Sequence, residues 1–315
     1  MCSSSNVGEP SKPLGFEATF VFNGLIPLKP IETYINAVEL MAILSHLGWN
    51  HHIVHSMGVS GDRFVNEACV FPRPLGTGES SWLPAKYAIS GLYQAGVEIA
   101  NTQRFQQLFV ELAVKDSRGQ AQSLGYLDLR PKASRPGVQS YQTVATNLTE
   151  GSNSNVTVVA RPQQAILDAN DQHFYITYDR NGHKVKSQDL FTSFLNALSI
   201  ASLHDDDGTG AFVPNAPSAS GNVVLSTWLS GGPSADQLTW RRVKRALQLI
   251  WEDVIIGGGD KAKPHFEDFQ FELWYIPEGR GLLDGDKIGG GRVMKFGPGS
   301  VYGGIPNSTE GIASS

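Results

Sequence analysis

The chain has 315 residues and a mass of 34.1 kDa, with 41% hydrophobic and 17% charged residues, 34 glycines and 17 prolines. That much apolar material excludes wholesale disorder and suffices for about two domains of roughly 150 residues each. A net charge of −5 and a pI near 5.9 argue against a protein whose main business is to coat nucleic acid.

In chain order, residues 1–15 are rich in Gly, Ser and Pro and are expected to form a flexible N-terminus. The run Phe16–Phe22 alternates with period two and reads as a strand. Pro30 suits the first turn of a helix whose stripe is Ile31, Tyr34, Ile35, Val38, Met41 and Ala42. A strand-like stretch, Val65–Phe71, precedes a second helix near 84–101. Strands at Phe105–Val114 and Leu124–Leu129 close the unit. Residues 131–172 read as a polar linker with one strand at Val156–Ala160.

The same order then recurs. A strand at Phe174–Tyr178 leads into a helix with Ser187 as N-cap and Phe191, Phe194, Leu195 and Leu198 in its stripe. Val223–Leu229, a helix near 238–256, and strands at Phe266–Tyr275 and Arg292–Phe296 follow. Residues 297–315 are expected to be a flexible C-terminus. The sharpest match sets Phe105-Gln-Gln-Leu-Phe-Val-Glu-Leu-Ala-Val114 against Phe266-Glu-Asp-Phe-Gln-Phe-Glu-Leu-Trp-Tyr275. The expectation is an α+β protein of two tandem ferredoxin-like repeats, 16–130 and 173–296, each an antiparallel sheet with helices on one face.

Alternation in the matched strands assigns faces. Leu108, Val110, Leu112 and Val114, with Phe269, Phe271, Leu273 and Tyr275, should lie under the helices. The opposite face carries Phe109, Glu111, Glu272 and Trp274, and its large apolar groups call for a cover. Two such sheets can pack by a pseudo-twofold into an α+β barrel around a cavity. Phe109 and Trp274 would then bind a ligand, and Glu111 and Glu272, with His52 or His55, would be acid–base groups. Solvated glutamates on an open sheet are the plainer alternative.

Other motifs point to structure. His46, His51, His52 and His55 lack the spacing of a metal site on a strand, where His51 and His55 would stand about 13 Å apart. His204-Asp-Asp-Asp-Gly-Thr-Gly210 resembles the nucleophile loop of haloacid-dehalogenase-type phosphatases, which would make Asp205 the nucleophile and Asp207 the acid/base, but a helix precedes it where that family has a buried strand. It also resembles a calcium loop, yet Ala216 stands at the twelfth position instead of Glu. Trp240-Arg-Arg-Val-Lys-Arg245 reads as a solvated helix face. Gly289-Gly-Gly-Arg292 reads as a hairpin loop.

Two cysteines give no disulfide framework, no apolar run reaches the roughly 18 residues of a membrane span, and no secretory leader opens the chain, so a cytoplasmic location is expected. The reading that follows is a small-molecule-binding pseudo-dimer without metal or cofactor and without nucleic-acid or membrane partners. If catalytic, it would be an acid/base isomerase, cyclase or lyase. The alternative is a non-catalytic module that binds a protein through an open sheet face or edge.

Overall fold

The structure, a computed structural model, describes residues 12–60, 64–73, 82–132, 165–257, 264–281 and 284–296. The expected strand at 156–160 and both termini proper lie outside these residues.

Strand β1 (Phe16–Pro27) runs into α1 (Pro30–Leu47), which starts with Pro at its first position and ends at Gly48, whose φ of +90° suits glycine. Short strands β2 (His52–Ile53) and β3 (Met57–Val59), then β4 (Asn66–Pro72) and β5 (Leu83–Pro84), lead to α2 (Ala85–Thr102). The half closes on the long hairpin β6 (Gln106–Lys115) and β7 (Ala121–Pro131). In the second half, β8 (Ala165–Leu167) and β9 (Phe174–Lys184) precede α3 (Ser187–Ala201). Then come β10 (Ala216–Pro217), β11 (Val223–Leu229) and α4 (Trp240–Leu249), which continues as a π-helical turn over Ile250–Ile255. The hairpin β12 (Glu267–Tyr275) and β13 (Asp286–Lys295) ends it.

The sheets are antiparallel, in the orders β1-β6-β7-β4-β3 and β10-β11-β13-β12-β9-β8, and β2 pairs with β5 apart from them. The ferredoxin-like order expected from the sequence is not what the sheets display. Each half closes on a two-strand hairpin, and that hairpin intervenes between the first strand and the middle strands. As a result β1 stands at the edge of its sheet. The sheets are also not closed into a barrel. The halves meet through their helices and not through the outer sheet faces that were expected to line a cavity: α1 packs on β4 and α2 on β6, α3 packs on β11, and α3 lies against both α1 and α2.

The inward residues Leu108, Val110, Leu112, Phe269, Phe271 and Leu273 are all buried, in one apolar cluster that runs through both halves. At the junction Phe191 is fully buried against Tyr34, ring centroids 4.1 Å apart, and burial of a side chain of that size stabilises by about 1.5–3 kcal/mol. Gly96 lets α2 approach closely, because a Cβ there would stand 2.3 Å from Leu195 Cδ1. Gly289, Gly290 and Gly291 lie inside β13 and not in a loop. A Cβ on Gly291 would meet the Phe271 ring at 2.1 Å, so the glycine run makes room for rings that cross the strand.

Candidate functional site

Glu111 and Glu272 occupy equivalent places in their sheets, but the structure does not bring them together. Each lies on the outer face, turned away from the helices, with side chains 44% and 42% exposed. Glu111 pairs with Arg73 at 3.5 Å, and Glu272 with Lys287 at 2.5 Å.

The aromatics that seemed to need a cover are covered sideways, by neighbours within their own sheet. Phe109 packs on Tyr126 with ring centroids 4.7 Å apart, and Tyr126 stacks on Phe71 at 4.8 Å. Arg130 extends over Phe71 and binds Glu67 and Asp128, at 2.6 and 3.2 Å. Below them burial and Glu67 push the Cys69 thiol up to about 12, so it is no nucleophile near neutrality. On the second sheet, Trp274 stacks on buried Tyr175 and donates from Nε1 to Thr177 Oγ1 at 3.0 Å.

His52 and His55 are both exposed, and no hydrogen bond or ion pair joins either to Glu111 or Glu272. The His52 ring lies 4.8 Å from that of Trp82, in an open groove of about 280 Å³ that Lys86, Tyr87 and Gln122 also line. Among the described residues no group of three or more His, Cys, Asp or Glu could hold a metal ion, and no helix is long and apolar enough to cross a membrane.

A line of titratable groups along α1 and α4, between the halves, escaped the sequence reading. Burial, with Glu252 opposite, raises the Glu39 carboxyl to about 7. Burial also raises Glu252, against the opposing effect of a Gln248 hydrogen bond at 2.9 Å. Further along, Lys244 is completely buried and donates to Asp206 Oδ1 at 2.8 Å and to the His204 carbonyl at 2.9 Å. Burial lowers the His46 pKa, although Asp206 stands 3.6 Å away.

Apart from Arg241, which stays exposed, the basic cluster is therefore not a solvated face. Arg241 pairs with Asp207, Arg242 with Asp171, Lys244 with Asp206 and Arg245 with Asp168. The acidic loop that resembled catalytic motifs is the structural counter-ion of α4, and His204 stacks on Trp240 at 3.9 Å. At the other end of the seam, Tyr34 and Trp251 line a notch of about 10 Å³, room for about one water.

The two sheets differ most at one edge. Phe16 is opposite Val114, and Phe174 is opposite Tyr275, so β1 and β9 correspond residue for residue from these positions. In the second half β8 covers the outer edge of β9, with Ala165, Ile166 and Leu167 opposite Thr177, Ile176 and Tyr175. Among the described residues no strand pairs with the outer edge of β1. There Thr19 is exposed, Val21 is 55% exposed and Leu25 91% exposed.

No family model matches the chain, and no curated protein or solved structure matches it either.

Proposed function

We propose that this chain is a non-catalytic interaction module that receives an extended segment of a partner protein along the outer edge of β1. The observation that carries this reading is the contrast between the covered edge of β9 and the exposed, apolar edge of β1. An unpaired edge offers a row of backbone donors and acceptors, which a partner strand satisfies by β-augmentation. The Phe109–Tyr126–Phe71 cluster on the adjoining outer face supplies apolar contacts beside that strand. In this account the halves are copies of one unit, and among the described residues only the second has the outer edge of its first long strand covered.

The acid/base reading has less support. Its four candidates are dispersed, and both carboxylates are neutralised by neighbouring cations on outward faces.

Benzoylphenylalanine placed at Val21 tests the proposal. It is expected to cross-link a protein with a yield on the order of tenfold above the same group at Thr102, an exposed control site at the end of α2, and Thr19→Lys should abolish the cross-link. Equal yields at the two sites, or none at Val21, would contradict it.

A further inference from the structure

We infer that the strand received by the β1 edge is β1 of a second copy of this chain, paired antiparallel about a twofold axis at Phe20. This rests on the edge reading above and adds the identity of the occupant. Four observations on β1 lead to it.

The first is the counterpart already seated on the equivalent edge. In the second half Ala165-Ile-Leu167 covers Tyr175–Thr177, which correspond to Glu17, Ala18 and Thr19. Among the described residues no strand covers that matching stretch of β1. The second is length. β1 has 12 residues, against three in β8, so it offers far more edge than a short covering strand would use. The third is charge. Glu17 is the only charged residue in β1, and it is tied to Lys115 at 2.5 Å, so the strand lacks the charges that protect most exposed edges from self-pairing.

The fourth is parity. Self-pairing about a residue keeps each face in register, whereas pairing about a peptide bond would set the two faces against each other. The regular ladder of β1 with β6 runs from Phe16 to Asn23, so the axis falls at Thr19 or Phe20. At Thr19 the carboxylate of Glu17 would face Val21. At Phe20 it faces Asn23, with Thr19 opposite Val21 and Ala18 opposite Phe22, so the one carboxylate meets a polar partner and no like charges oppose. The same patch on both copies then forms a closed, isologous interface, and the two five-stranded sheets join into one.

Sedimentation velocity over a concentration series, with the full chain and edge variants, tests the inference and its register together. The unaltered chain is expected to associate reversibly to twice its 34.1 kDa mass. Thr19→Lys combined with Val21→Lys sets introduced lysines opposite each other twice across the axis, and should weaken association on the order of 100-fold without changing the circular dichroism, or the Tm at concentrations where both proteins are monomeric. Thr19→Glu combined with Val21→Lys sets opposite charges in the same places and should restore the dimer. A chain that stays monomeric at every concentration overturns the inference, as does association that both double variants leave alike. If the chain is monomeric while Val21 still cross-links a different protein, the edge reading stands and only the identity of the occupant falls.

Discussion

Asp206→Ala is expected to lower the free energy of unfolding by about 3–5 kcal/mol, the cost of leaving a buried charge without its partner. Lys244 has no exposed side-chain surface, and its ammonium has two acceptors, Asp206 Oδ1 and the His204 carbonyl. Removal of the carboxylate leaves a cation in the interior with one neutral acceptor. Arg241 cannot compensate, because it is itself a cation and stands 3.7 Å from the same carboxylate. Asp206→Asn keeps an acceptor oxygen and should cost roughly half as much. Asp205→Ala, at an exposed neighbour, should stay within about 0.5 kcal/mol of the parent protein. Urea denaturation of the three variants checks this. Equal losses at positions 205 and 206 would mean that the loop is destabilised generally and that the buried pair is not the cause.

Glu39→Gln is expected to stabilise the protein at pH 8 by about 2–3 kcal/mol and to change little at pH 4. The sign follows from the direction of the shift. The folded carboxyl titrates at about 7, against 4.5 for an unperturbed one, because burial and the facing Glu252 disfavour its charge. Below pH 4.5 folded and unfolded chains both hold the proton, and nothing is lost. As pH rises from about 4.5 to about 7 the unfolded chain ionises first, so folding stability falls over that window and then levels off. Glutamine keeps the shape without the charge and removes that slope. Arg245, which favours the charged form of Glu252, and Asp168 and Asp253, which disfavour it, remain in both proteins. The difference between the two stability-versus-pH curves therefore reports Glu39 together with its coupling to Glu252. A difference that does not vary from pH 4 to pH 8 would contradict the assignment.

The secondary elements were legible wherever one face of a strand or helix is buried and the other is not. Phe105–Val114 and Phe266–Tyr275 alternate because Leu108, Val110, Leu112, Phe269, Phe271 and Leu273 enter the core, while Val114 and Tyr275 pack against its margin. Their equivalence, with Glu111 and Glu272 at matching places, is matched by the equivalent pairing of β6 and β12 with their neighbours. What lay beyond each outer face was not legible. Phe109 and Trp274 looked unprotected because Tyr126 and Tyr175, which cover them, arrive from other strands through pairings that no local pattern reveals. Lys244 was hidden in the same way. It sits beside Val243 at a position that periodicity gives to solvent, and only the packing of the 204–207 loop on α4 turns that position inward.

Gly289–Gly291 read as a turn because the rings of Trp228 and Phe271, which need the space, lie far off in sequence. Glu39 was passed over for a related reason. It flanks the apolar stripe of α1, and its partner Glu252 comes from the opposite half. The open edge of β1 could be identified only once β8 was found on its counterpart, since a strand sequence does not say how many neighbours it has.

Amide hydrogen exchange at high dilution, comparing residues 17–21 with residues 175–179, tests the central claim of an uncovered edge most directly. The two segments occupy equivalent positions, so differences in their protection report on what lies beyond them. The outward amides of 17–21 are expected to exchange about 100-fold faster, or more, than the amides that β8 covers, as befits backbone groups bonded only to water. Equal protection of the two segments in dilute protein would mean that the β1 edge is already covered within the chain, and would contradict the account.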